Sequence, residues 1–279
     1  MSYNAEISRT NPSCFLFLID QSGSMSDPFG SGEANKKKSD GVSDAINRLI
    51  REISIRCAKG EEIRDYFYIG VIGYGAHVGS AFSGVLAEKE LIPISEVAKN
   101  PARIEQRTKK VDDGAGGLVD QTIRFPVWID PVANGGTPMC RALTITLEIL
   151  DQFLINYPEC FPPVVIHLTD GEATDGEPAE LMQAITSLKS TDGNVLLFNV
   201  HISSRSEKPI AFPHNHEGLP DQYAKMLFNT ASELTPYMRE IAKEYGHNLL
   251  TQAKGFTFNA DLVLVIQALD IGTRAINLR

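Results

Sequence analysis

Apolar and polar positions along this chain follow two periods in alternation. Cys14 to Asp20 (CFLFLID) is continuously apolar until it meets a carboxylate, the pattern of a central parallel strand covered on both faces. After a Gly/Ser-rich loop, Val42, Ile46, Leu49, Ile50, Ile53 and Cys57 recur at three- and four-residue spacing and predict a helix over Gly41 to Ala58. Tyr66 to Tyr74 (YFYIGVIGY) reads as the second strand. The turn Gly75 to Gly79 leads into Ser80 to Leu86, a short third strand whose tight connection predicts antiparallel pairing. Asn134-Gly135-Gly136-Thr137-Pro138 opens a helix to about Asn156, with Thr137 suited to the N-cap and Pro138 to the first turn. Pro163 to Thr169 (PVVIHLT) is another buried strand, ended by Asp170-Gly171. Then follow a helix over Pro178 to Lys189, a strand over Val195 to Ile202, and a polar loop containing His214 and His216. A helix near Thr235 to Tyr245, a short strand at Gly255 to Phe258 and a closing helix at Ala260 to Ala275 complete the chain.

Strands alternating with helices in this way imply an α/β fold: a doubly wound, Rossmann-like, mostly parallel central sheet with one antiparallel edge strand and helices on both faces. Residues 1–279 are expected to form one domain. A long connection at about 88–133, between the third strand and the helix after Thr137, shows no clear period. It is open to two readings: a solvated surface insertion, or a border of the sheet's carboxyl edge at which Asp112 to Gly117 restrict access or contribute to partner choice.

Composition narrows the classes. With 279 residues, 43% hydrophobic and 22% charged, the chain suits a well-filled core. A net charge of −9 argues against non-specific nucleic-acid or membrane binding, which needs basic surface. The densest basic run, Lys36 to Lys38, lies in the Gly/Ser-rich loop and reads as solvated. No apolar run approaches the roughly 20 residues of a membrane helix. The N-terminal MSYNAEISRTNPS does not read as a secretory signal. The cysteines Cys14, Cys57, Cys140 and Cys160 share no CxxC spacing, so a reduced, cytoplasmic protein is expected.

Ligands of doubly wound sheets gather at the carboxyl ends of the strands, where the strand order reverses. Three oxygen-rich loops fall there: Asp20-Gln21-Ser22-Gly23-Ser24, Gly135-Gly136-Thr137 and Thr169-Asp170-Gly171. Two carboxylates and three hydroxyls, with no Cys or His, suit a hard cation; Mg2+ fits best, and Ca2+ or Mn2+ also fit. Hydroxyls are neutral ligands, so an acidic group from outside would complete both coordination and charge.

These positions carry a resemblance. Asp20-x-Ser22-x-Ser24, Thr137 within Gly-Gly-Thr-Pro and Asp170 within Thr-Asp-Gly match the von Willebrand factor type A (vWA) family over about Ser13 to Ile276. By that resemblance Asp20, Ser22, Ser24, Thr137 and Asp170 form a metal-ion-dependent adhesion site. The three hydroxyls would ligate Mg2+ directly and the two acids directly or through water, while an Asp or Glu of a partner protein takes the open position. FLIDQSGSM, GGTPM and LTDGEATDG resemble intracellular bacterial members, including those associated with tellurite resistance and with kinase and phosphatase partners. The resemblance further implies that the closing helix shifts when a ligand binds.

Other features have plainer readings. Glu172 and Asp175 read as turn formers before Pro178, and Asp40 as an N-cap. His167 reads as a hydrogen-bonded core residue, and His214 and His216 as solvated loop residues without a third ligand. Trp128 is expected to pin the long connection onto the core. The alternative to a binding module is a metal-dependent hydrolase or phosphatase using the same site. A phosphoaspartate phosphatase would carry a second acid two residues after Asp20, where this chain has Ser22. No GxxxxGK[ST], GxGxxG or GxSxG motif occurs, and no base is tied to a nucleophile, so a non-catalytic binding role is the leading expectation.

Overall fold

The computed structural model describes residues 3–29, 36–112, 117–203, 208–274 and 278. Among these residues, twelve strands and seven α-helices follow in chain order. The first part runs β1 (Ser13–Asp20), α1 (Lys38–Arg56), β2 (Ala58–Lys59), β3 (Glu62–Ile63), β4 (Phe67–Tyr74), β5 (Val78–Ser80), β6 (Ile92–Pro93), α2 (Ile94–Lys99), β7 (Arg103–Asp112) and β8 (Leu118–Val127). The second runs α3 (Met139–Asn156), β9 (Val164–Thr169), α4 (Ala179–Ser187), β10 (Leu196–Ile202), β11 (Ile210–Ala211), α5 (Gln222–Thr230), α6 (Pro236–Glu244), β12 (Phe256–Ala260) and α7 (Leu262–Thr273).

The main sheet has the order β11-β12-β10-β9-β1-β4-β5, with β6 paired to β4. Its centre is parallel, and the expected antiparallel edge strand is β5. A second, two-residue antiparallel strand, β11, closes the opposite edge. The alternation within β1 explains its uninterrupted apolar run. Phe15, Phe17 and Ile19 join α1, α2, α6 and α7 in one core, while Cys14, Leu16 and Leu18 join α3, α4 and α5 in the other. From central β1 the chain first leaves toward β4 and later returns to β9 on the other side. The β1–β9 boundary is therefore the point where winding reverses. All four cysteines are free thiols.

Four elements differ from the sequence expectation. The third strand is shorter, Val78–Ser80, because Phe82 and Ser83 leave β4 and pair with Ile129 and Trp128 instead; Gly84–Leu86 is a 3-10 turn. Helix α1 starts at Lys38 rather than Gly41, so Asp40 lies inside its first turn and is not the N-cap. Helix α5, capped by the Asp221 side chain, was hidden in the polar loop before Thr235. The long connection is not a structureless loop but carries α2 and the paired ribbon β7–β8. Its turn Asp112–Gly117, one reading of which borders the carboxyl edge, falls mostly at 113–116, outside the described residues.

The ribbon is fastened at its root. Buried Asn47 of α1 accepts hydrogen bonds from the Trp128 and Ile129 amides (2.8 and 3.1 Å) and donates to the Ile129 carbonyl (2.9 Å). Trp128 is itself buried, as expected, and its indole donates to the Val97 carbonyl at 2.6 Å. Farther out, Arg107 lies 3.7 Å from the Phe125 ring centroid and pairs with Asp44 of α1. Asn47→Ala would strand two amides and a carbonyl in the core. It should therefore lower stability by about 3 kcal/mol in urea titration, with the loss tracking Trp128 fluorescence.

Candidate metal centre

Asp20 ends β1 and Asp170 follows β9, its parallel neighbour, so the strand register brings two carboxylates to the same edge. Asp20 is fully buried. Its Oδ1 accepts the Ser22 amide at 2.9 Å and its Oδ2 the Thr169 hydroxyl at 3.1 Å. The Ser22 and Ser24 hydroxyls lie 3.0 Å apart, and Ser24 Oγ donates to Asp170 Oδ1 at 2.7 Å. Four of the five expected residues thus form one continuous hydrogen-bonded chain from one buried carboxylate to the other.

Thr137 belongs to a loop locked against this chain. The Gly23 amide donates to the Gly135 carbonyl (3.0 Å), and the Asn134 amide donates to the Gln21 carbonyl (2.7 Å). This packing requires bare backbone. Gly135 has φ +82°, and a Cβ there would lie 2.4 Å from the Ala76 amide nitrogen. Buried Thr137 donates its amide to Thr174 Oγ1 (3.1 Å) and receives the Thr174 amide on its carbonyl (2.9 Å).

Thr137 does not cap α3, which begins at Met139 with Pro138 in the cap position. Asp175 does that work from another loop, its carboxylate accepting the Cys140 and Arg141 amides at 2.9 Å each. A carboxylate at a helix N-terminus is favoured by the helix dipole. Asp175 is therefore more than a turn former, and the segment after Asp170 is tied to both Thr137 and α3.

Lys38, expected to be solvated, is buried. Its Nζ donates to Asp170 Oδ2 at 2.7 Å, with side chains 4% and 0% exposed. The ammonium neutralises one acid in a site holding two, which ties the first turn of α1 to this edge of the sheet. Lys36 pairs with Asp44 at 3.0 Å. Tyr223 is a further unforeseen neighbour. Its hydroxyl donates to the Gly171 carbonyl and lies 3.4 Å from Thr169 Oγ1.

Below the site, Tyr74 Oη lies 2.6 Å from His167 Nε2, and His167 Nδ1 lies 3.1 Å from Asn199 Oδ1. The Asn199 amide group donates to the Leu227 carbonyl, so its oxygen accepts from Nδ1–H and Nε2 accepts from Tyr74. Burial pushes His167 down to about 4, and the ring is a neutral, hydrogen-bonded core residue as expected. His214 and His216 are exposed. Among the described residues, no three or more His, Cys, Asp or Glu side chains cluster to hold a metal. A cation at this edge would therefore depend on hydroxyls beside two carboxylates. That all-oxygen, partly charged set fits Mg2+, Mn2+ or Ca2+ and does not fit a soft metal.

No family model matches this chain, and no curated protein matches it. Among solved structures it is similar to manganese-loaded TRAP protein of Plasmodium vivax, at 16% identity and a TM-score of 0.36. The match covers 72% of this chain and 60% of that one. It is also similar to the vWF domain of the type V pili tip protein Mfa5 of Porphyromonas gingivalis, at 16% identity and a TM-score of 0.30, covering 59% of this chain and 39% of that one. A structure of the three N-terminal domains of Mfa5 is similar at 14% identity and a TM-score of 0.33, covering 59% and 20%. Likenesses at this level do not bear on function. This chain spans less than two thirds of each of those chains. Among its described residues no helix is long and apolar enough to cross a membrane.

Burial, and then the nearby Asp170 carboxylate, push Asp20 up to about 6 against the hydrogen bonds from Ser22 and Thr169. An acid with a raised folded pKa penalises the cation-free fold above its unfolded value, here 3.8. The penalty is absent below about pH 4, grows to pH 6 and is full above it, reaching about 3 kcal/mol. In EDTA, Asp20→Asn should therefore be more stable than the parent at pH 8. The difference should close by pH 4, as read by urea unfolding at each pH.

Proposed function

We propose that this protein is a vWA-type binding module that holds one divalent cation, Mg2+ by its oxygen-rich set, between Asp20, Ser22, Ser24, Thr137 and Asp170. With that cation it captures an Asp or Glu side chain of a partner protein. The observation that carries this reading is the chain from Asp20 through Ser22 and Ser24 to Asp170, at the sheet edge where winding reverses. Its hydrogen bonds satisfy the same lone pairs that a hard cation would use. Three of the five residues are neutral hydroxyls, so the cation keeps an electrophilic open face toward an outside carboxylate.

A metal-dependent phosphatase or hydrolase using the same residues is the competing reading. The polar groups nearest the cluster argue for binding. The Thr169 hydroxyl donates to Asp20, the Tyr223 hydroxyl donates to the Gly171 carbonyl, and Lys38 is held on Asp170. None of these is arranged as a base poised to activate water.

The wild-type protein should retain partners from lysate in Mg2+ and release them in EDTA. Asp20→Ala and Ser22→Ala should lose that retention, and their cation affinity should fall at least about tenfold, with far-UV dichroism unchanged. Changing the captured partner's acid to its amide should also abolish binding. Mg2+-dependent retention that survives in Asp20→Ala would overturn the proposal. Cation-dependent phosphoester hydrolysis lost in that variant would establish the enzyme reading instead.

A further inference from the structure

The two oxygens of Asp170 face different partners. Oδ1 accepts from Ser24, within the chain that links the two carboxylates, and Oδ2 accepts from the Lys38 ammonium at 2.7 Å. The Lys38 side chain is 4% exposed and that of Asp170 0%, so solvent does little to screen the pair. Lys38 is fixed from its own backbone as well: its amide donates to the Asp27 carbonyl at 2.9 Å, and it opens the 19-residue helix α1. It is therefore a built feature of the site and not a surface side chain that swings in.

A charge count shows the consequence. Two carboxylates and one ammonium leave the cluster with one negative charge, where two carboxylates alone would leave two. A divalent cation then turns the cluster to one positive charge instead of neutral. We infer that Lys38 is a built-in counter-cation that makes the site take up its metal ion and an acidic ligand together. It holds Asp170 to a single oxygen toward the cation, weakens cation binding in the free protein, and strengthens the hold of the loaded site on a carboxylate. Cation and carboxylate each become the other's missing charge, and by linkage each raises the other's affinity by the same factor. This rests on the cation-binding reading above and names a residue that sets its selectivity for anionic ligands.

The experiment uses the whole chain, with Mn2+ as the cation and acetate as the carboxylate, each titrated by calorimetry and Mn2+ spin resonance. Lys38→Gln keeps a hydrogen-bond donor for Asp170 without the charge, Lys38→Met removes both, and Lys38→Arg keeps the charge. The expected result is a reversal. Lys38→Gln and Lys38→Met bind Mn2+ about tenfold tighter than wild type, yet the Mn2+-loaded variants bind acetate at least about threefold more weakly. Lys38→Arg stays close to wild type in both. A merely structural role would weaken both affinities together. Mn2+ affinity that is unchanged or lower in Lys38→Gln and Lys38→Met would overturn this inference while leaving the cation-binding reading in place. Failure of the wild type to bind Mn2+ would overturn both. If Lys38→Met does not fold, Lys38→Gln against Lys38→Arg decides the question alone.

Discussion

The structure is organised around a repulsion. Two parallel strands side by side, β1 and β9, each deliver a carboxylate to the same edge of the sheet, and Asp20 is fully buried there. Two like charges in a low-dielectric corner are unfavourable unless other groups compensate. Much of the local architecture supplies that compensation. The Ser22 amide and the Thr169 hydroxyl serve Asp20, while the Ser24 hydroxyl and the Lys38 ammonium serve Asp170. Lys38, the first residue of helix α1, completes this arrangement. Gly135, in the loop before Thr137, lets backbone approach backbone closely enough to enclose it.

The compensation is incomplete. Asp20 remains pushed up to about 6, so the cation-free protein at neutral pH carries an electrostatic load. On the binding reading proposed above, stability is given up locally where a bound cation would restore it. The remainder of the fold can absorb this because two separate cores, one on each face of the sheet, clamp β1 from both sides.

How much of this was legible in the sequence follows the range of the interactions. β1 and β9 were legible because a strand covered on both faces must be apolar throughout, whatever packs on it. Asp20, Ser22, Ser24 and Asp170, which hydrogen bonds join at one edge, were legible because each sits beside its own strand end. Lys38 was not, because nothing local to Lys36-Lys37-Lys38 says which ammonium meets a carboxylate 132 residues away. The capping of α3 by Asp175 and the place of Tyr223 are likewise tertiary facts. β7 was not legible because Arg103, Glu105 and Arg107, at every second position, are charged residues that pair with one another and with Asp130 and Asp44, so no apolar two-residue period marks the strand.

The most direct measurement is a crystal structure of the protein grown with Mn2+, with anomalous differences collected at the manganese edge. The account requires one strong peak in contact with the Ser22, Ser24 and Thr137 hydroxyls and facing Asp20 and Asp170, with one coordination position held by water or by a carboxylate from outside the chain. No peak there, or manganese bound only by exposed acids such as Glu172, would contradict it.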